Sequence, residues 1–344
     1  MQHEVTKIQK LLDTQGHIAE PGWARKPLWI YDRRDIAAPA LRIKEWDYYL
    51  VTGETFAAAF TVSDLGYAGM ASVSLIDLTR PAETTKTVLT PFPMGKIGLR
   101  AASSSGDVDF KSGDLHLRYS ASPGIRHIQC IYRNFRDGED LQAQISMFQP
   151  DADSICIATP WKEKKEAFYY NQKFNCMPAR GYVRVGGKEY CFQPEHDMAV
   201  LDWGRGVWTY DNTWYWGTCS TRIDGAPFGF NLGYGFSDRS SASENALFYR
   251  GRLHKLEEVS FGISEDGNGS PDYTAPWTIT SSDGRFEAVF MPIIDRKGLI
   301  DLKMFVSDQH QVFGQLTGTA VLDDGRVIKM REIPAAIERV HNRY

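Results

Sequence analysis

Helical periodicity is nearly missing from this chain of 344 residues. Apolar side chains take the i, i+3, i+7 spacing of a helix at Val5, Ile8 and Leu12, and a turn or two fits between Pro334 and Val340. So few helices exclude a parallel βαβ fold, whose crossovers need them. Long apolar runs are also lacking. Nowhere do eighteen apolar residues follow one another, and the polar start MQHEVTKIQKLLDTQGH has no signal-peptide core. Neither charge dominates: a formal net charge of −4 and a pI near 6.1 give no field that favours nucleic acid or an anionic membrane. The one basic run, starting at Lys162, alternates with glutamates and reads as a solvated turn. Cysteine is sparse, at Cys130, Cys156, Cys176, Cys191 and Cys219, with no CxxC pair and an odd count. That argues against a zinc knuckle or a disulfide framework, and for a reducing, cytoplasmic compartment.

Signatures of several chemistries are missing too. There is no GxSxG, and no cysteine stands in a catalytic context. The glycine-rich stretch from Gly229 to Gly235 lies inside a strand pattern instead of opening a helix, so it cradles no phosphate. Nicotinamide, flavin and nucleotide motifs are absent. His196-Asp197 with Asp202 offers a single histidine and no second at ligand spacing, so neither a metal nor any other cofactor is expected.

What is present is aromatic and glycine-rich: 12% Phe, Trp and Tyr, with 30 glycines. Strand patterns fill the chain. Val73 and Leu75 alternate with Ser72 and Ser74, a hairpin turns at Ser112-Gly113-Asp114, and another turns at Gly186-Gly187. In the second half, Asp224-Gly225, Asp283-Gly284 and Asp324-Gly325 punctuate further strands. About fourteen strands are too many for one small closed barrel. The expected fold is therefore all-β, an antiparallel meander forming two tandem barrels or half-barrels with short terminal helices. Its expected divisions are an N-terminal segment over 1–22, a first barrel-like domain over 23–180 and a second over 181–344 carrying the tryptophan-rich motif.

That motif, LDWGRGVWTYDNTWYWG from Leu201 to Gly217, sets Trp203, Trp208, Trp214 and Trp216 around Asp202 and Arg205. Acid and arginine are seldom buried unless paired. The motif reads either as an aromatic-walled site with a fixed charge or as a corner that an Asp202–Arg205 pair pins, the latter being preferred for the pair. Downstream, Phe228, Phe230, Leu232, Tyr234 and Phe236 share one parity of a strand whose other parity is almost bare, with Asn231 its one hydrogen-bonding side chain. If Glu244 to Leu256 is one regular strand, Glu244, Phe248, Arg250, Arg252 and His254 share a face, with Asn245 and Tyr249 opposite. His254 is then the natural acid or base, because its ordinary pKa lies near neutrality.

The tryptophan-rich motif, Phe230-Asn-Leu-Gly-Tyr-Gly-Phe, Glu244-Asn-Ala-Leu-Phe-Tyr, Gly22-Trp-Ala-Arg-Lys-Pro-Leu-Trp-Ile-Tyr-Asp and Trp46-Asp-Tyr-Tyr together resemble the bacterial domain-of-unknown-function family 2804, over nearly the whole chain. That family brings no assigned activity. More distantly, Gly181-Tyr-Val-Arg-Val-Gly-Gly followed by Asp202-Trp-Gly and Trp214-Tyr-Trp-Gly is similar to the carotenoid hydratase and AttH-like group, which implies lipocalin-like double barrels. The sequence departs from that group's pattern, since Asp202 directly precedes Trp203-Gly204 and Tyr215 replaces the central Asp of a Trp-Asp-Trp element.

Two functions from different classes follow. One is a cytoplasmic binding protein for a lipid or isoprenoid-like molecule, with Trp203, Arg205, Trp208, Trp214, Trp216, Asn231, Tyr234 and Asn245 as the ligand contacts. The other is a cofactor-independent hydratase, isomerase or cyclase acting on such a molecule. In it Asp202 or Glu244 protonates, His254 or Tyr249 relays, and the tryptophans shelter positive charge. Neither reading calls for nucleic acid or a membrane span, and oligomeric state is left open.

Overall fold

Alternation along strands, and not helical stripes, decides where this chain puts its apolar surface. The computed structural model describes residues 2–301 and 306–343. Among them are two antiparallel sheets, of thirteen and nine strands, which form one nearly closed barrel and one half-barrel. The described residues contain no α-helix, only single 3-10 turns at Arg33–Asp35 and Ala40–Arg42. No helix among them is long and apolar enough to cross a membrane.

The main path of the first sheet runs through Ala82–Pro91, Ala68–Asp77, Phe56–Asp64, Ile43–Thr52, Met198–Val207, Phe168–Val185, Glu139–Phe148, Ile125–Arg136, Leu115–Ser122 and Gly106–Ser112. The second runs through Arg252–Lys255, Ala246–Tyr249, Ala226–Tyr234, Asp211–Ile223, Val327–Arg343, Val306–Val321, Phe286–Asp301, Trp277–Ser281 and Val259–Gly262. The change of sheet does not fall at residue 180. Phe168–Val185 crosses that position as one strand, and Met198–Val207, with Asp202, Trp203 and Arg205, sits between Ile43–Thr52 and Phe168–Val185. Trp214 and Trp216 lie in the second sheet. The tryptophan-rich motif is thus the crossover from one sheet to the other.

Neither expected terminal helix forms: the N-terminal segment is extended, with a two-residue strand at Gln9–Lys10, and the C-terminal one lies within a strand. The Val5 N–H donates to the Trp23 carbonyl at 2.8 Å, and Gln9–Lys10 pairs in parallel with Trp29–Ile30. Val5, Leu11 and Leu12 still bury, but against the first sheet's core from an extended backbone. Pro334 to Val340 lies inside Val327–Arg343, hydrogen-bonded to strands on both sides. The strand expected over Glu244 to Leu256 is a hairpin. Arg250 and Gly251 both have positive φ, +49° and +76°, as a two-residue type I′ turn requires, and Leu247 faces His254 across the pair.

Each sheet has two differently employed faces. One face of the first sheet packs Tyr49, Phe168, Tyr170, Phe174, Leu201 and Trp203 into its own core. The opposite parity turns Trp46, Tyr48, Tyr169, Asn171, Lys173 and Asp202 toward the second sheet. The second sheet answers with a core of Phe228, Phe230, Leu232 and Ile337, and with Trp214, Trp216, Asn231 and Glu338 on its other face. A bulge between Phe174 and Met177 locks the two together. Cys176 sits at φ +60°, and Asn175 Nδ2 reaches the carbonyls of Cys219 and Phe230, both at 3.0 Å.

Candidate functional site

Two rows of side chains meet between the sheets. In the first sheet Tyr48, Asp202 and Lys173 are direct cross-strand neighbours. In the second, Arg296, Gln311, Glu338, Trp216 and Gly233 form the facing row. Lys173 Nζ lies 2.6 Å from Asp202 Oδ2 and 3.9 Å from Glu244 Oε2, and 4.9 Å from the Trp216 ring centroid. The Lys173 side chain is 3% exposed and that of Asp202 14%. Trp46 Nε1 donates to Asp202 Oδ1 at 3.2 Å, and Asn171 Nδ2 to Glu244 Oε2 at 2.6 Å. Opposite them, Trp214 Nε1 and Gln311 Nε2 donate to the two oxygens of Glu338, at 3.0 and 2.7 Å. Gln311 in turn accepts from Arg296 and from the Tyr48 hydroxyl.

Two carboxyls therefore share Lys173, with the carboxyl of Glu338 in the facing row. Burial pushes the Glu244 carboxyl above the ordinary range, with Lys173 opposing the rise and Asp202 adding to it. Burial does the same to Glu338, again with Asp202 adding and Lys173 opposing. Raising a carboxyl in this way favours its protonated form, the form that can donate a proton. The linkage to stability has a definite sign. A folded-state pKa above the unfolded value means the native state holds the extra proton, so this contribution is full below the unfolded pKa of about 4.3 and is lost as pH rises through the folded value. Glu338→Gln should flatten that part of the pH dependence of the melting temperature, measured by calorimetry from acid to neutral pH.

Glycine shapes this ground. A Cβ on Gly233 would lie 2.0 Å from Glu244 Oε1, so the bare face of Ala226–Tyr234 exists to admit that carboxyl. Gly233→Ala should cost about 1–3 kcal/mol in denaturant unfolding, the usual cost of overpacking. Gly204 similarly makes room for the Trp46 indole, whose nearest atom would lie 2.1 Å from a Cβ there.

The residues singled out by sequence separate into those the structure gathers and those it does not. Asp202, Glu244, Trp214, Trp216 and Asn231 come together. Asn231 accepts from Trp216 Nε1 at 2.8 Å and holds the Glu244 backbone carbonyl at 2.9 Å. Trp208 is buried among Trp46, Trp161, Tyr169, Trp214 and Phe236 as the hub of the aromatic wall. Trp203 turns the other way, into the first sheet's core, edge-on to Tyr170 at 5.4 Å. Asn245 is structural, its side chain bridging Gly233 N–H and the Glu257 carbonyl. Tyr234 stacks on Tyr215 at 4.6 Å on the second sheet's own core face. His254 lies 3.1 Å from Asp323 at the hairpin, and Tyr249 sits beside Arg250 and Arg326. The hairpin takes both away from Glu244.

The expected Asp202–Arg205 pair does not form. The motif is a strand there and not a turn, so residues three apart project from opposite faces. Arg205, wholly buried, pairs with Asp47 at 3.0 Å and approaches Glu45 at 3.8 Å, with its guanidinium carbon 4.1 Å from the Trp203 ring centroid. Because the two residues have separate partners, the effects of Arg205→Met and Asp202→Asn on unfolding free energy should add within about 0.5 kcal/mol in a double-mutant cycle.

Sequence reading missed Lys173, Asn171, Trp46 and Glu338. A signal for the first two was available: Asn171-Gln172-Lys173 interrupts an apolar stretch from Phe168 to Met177 in which both faces are buried. Glu338 gave none. Among the described residues no group of three or more His, Cys, Asp or Glu is placed to hold a metal ion, and the five cysteines are free thiols.

The profile of the family described as Domain of unknown function (DUF2804) matches residues 2–344. A search of curated protein sequences gives no match. Among solved structures, an AttH-like protein from Nitrosomonas europaea aligns at a TM-score of 0.52 and 15% identity, covering 93% of this chain and 98% of its own. Kievitone hydratase from Nectria haematococca aligns at a TM-score of 0.46 and 12% identity, covering 88% of each chain.

Proposed function

The chain belongs to the DUF2804 family over residues 2–344, and from the site it carries we propose that it is a cofactor-independent acid–base enzyme for a lipophilic small molecule held between the sheets. The observation that carries this reading is the gathering of three carboxyls, Asp202, Glu244 and Glu338, near Lys173, with two of them pushed up by burial. Glu244 is 1% exposed and boxed in by Asn171 and Gly233. Glu338 is half-buried beside the half-buried Trp214 and among the described residues forms no ion pair, so it is the better-placed donor.

For an alkene substrate, Glu338 gives its proton to one carbon. The faces of Trp46 and Trp214 stabilise the cation left on the other. Water then bonds to that carbon and yields its proton to Asp202, after which proton exchange between the carboxyls restores the start. Loss of a neighbouring proton instead of water addition gives isomerisation, from the same first step.

Incubation with isoprenoid alkenes in D₂O tests the proposal by mass spectrometry. Carbon-bound deuterium that depends on Glu338 supports it; none with wild-type protein across the series overturns it. Binding without turnover is the second reading, and it has a specific support. Asp202 is already occupied by Lys173 and Trp46, which leaves it no free oxygen for chemistry if that pair never opens. A cytoplasmic setting suits either reading, because four of the five free thiols are buried and unpaired.

A further inference from the structure

We propose that the first sheet's core contains a separate anion site, in which Arg126 receives the carboxylate of a small organic acid entering between Ser103, Gln149, Gln172 and Phe174. Arg126 is 1% exposed and projects inward from Ile125–Arg136 with Ile128 and Cys130. Among the described residues no acid pairs with it. Asp47, whose carboxylate feels its charge, is already bound by Arg205 at 3.0 Å. An arginine buried without a counter-ion is costly unless something else supplies the charge.

Its hydrogen bonds are also incomplete. Nε donates to Gln149 Oε1 at 2.7 Å, and Nη1 to the Ser103 carbonyl at 2.5 Å and the Tyr49 hydroxyl at 3.3 Å. Nη2 is buried with no acceptor, and so is the hydroxyl of Tyr119, whose ring packs on Tyr49 at 4.9 Å. Buried donors left unpaired cost about 1–3 kcal/mol each, and a carboxylate would satisfy both the charge and the orphaned guanidinium nitrogen.

Space lies beside two of Arg126's hydrogen-bond partners. A cavity of about 310 Å³ is lined by Ser103, Gln149, Ser154, Gln172 and Phe174, with Lys26 and its ion-pair partner Asp151, 3.4 Å apart, also on its wall. That is at the lower end of small-molecule sites, and its wall, which mixes serines and glutamines with Pro27, Pro150, Ala152 and Phe174, suits a small acid with an apolar body better than a long lipid. Two lining residues, Ser103 and Gln149, are Arg126's own partners. Ser103 belongs to the irregular segment ahead of Gly106–Ser112, which also caps Arg205 through the Arg100 carbonyl at 2.7 Å. Because Ser103 lines the cavity, a carboxylate arriving there would compete with its carbonyl for the guanidinium.

Titration of the full chain with benzoate, and with benzamide as its neutral isostere, tests this by ligand-observed NMR. Benzoate should bind at least about tenfold tighter, as a charge-assisted pair implies. Arg126→Met should collapse that ratio toward one. Ser104→Trp, at an exposed lining position, should weaken benzoate at least about tenfold with the fold intact by circular dichroism. If Arg126→Met does not fold, the wild-type ratio and Ser104→Trp decide. Absent benzoate binding, equal binding of the two probes, or unchanged benzoate affinity in Ser104→Trp or in folded Arg126→Met overturns the proposal. None of these readouts involves the intersheet carboxyls.

Discussion

Lys173→Met is expected to destabilise the protein by about 3–5 kcal/mol in denaturant unfolding, because it leaves buried carboxyls without their cation. Asp202 loses a partner at 2.6 Å and Glu244 loses one at 3.9 Å. Adding Asp202→Asn should restore part of the loss, since the second change removes the charge that the first stranded. The same Asp202→Asn in the Arg205→Met background should restore nothing. This contrast separates the observed pairing from the one that sequence spacing favours.

Glu338→Gln is the second large effect, and it falls on chemistry. The amide keeps the shape but presents an NH₂ to one of two donors, Trp214 Nε1 or Gln311 Nε2, so stability should fall by only about one hydrogen bond, 0.5–1.5 kcal/mol. Deuterium transfer to an alkene should fall by about 10²–10⁴-fold, the usual contribution of a positioned acid. Glu244→Gln should behave differently, since Glu244 accepts from Asn171 and feels Lys173 in a space that Gly233 leaves for it. Loss of transfer in Glu244→Gln with full transfer in Glu338→Gln would exchange the roles of the two carboxyls.

Much of the architecture is legible in the sequence because strand parity is local information. The hairpins at Gly113 and Gly186-Gly187, and the bulky and bare faces of Ala226–Tyr234, follow from residues a few positions apart. The site follows only in part, for the same reason. Lys173 and Asp202 are neighbours through a register between distant strands, and Glu338 meets Trp214 through a strand more than a hundred residues later. Asp202 and Arg205 look like partners when the segment is taken as a turn, and become strangers once it is a strand. The Arg250-Gly251 turn was hidden because arginine is an uncommon residue at a position that needs positive φ. The N-terminal segment reads as a helix because Val5 and Leu12 also bury from an extended chain whose backbone hydrogen bonds neighbouring segments take, whereas Ile8, the third residue of the helical spacing, is exposed.

Burial between the sheets raises the Glu244 and Glu338 carboxyls where an alkene or similar substrate would meet them. ¹³C NMR titration of side-chain-labelled glutamate measures this directly, with Glu338→Gln and Glu244→Gln assigning the signals. The Glu338 and Glu244 signals should titrate above the ordinary carboxyl value of about 4.3. Titration of both at or below that value would contradict it.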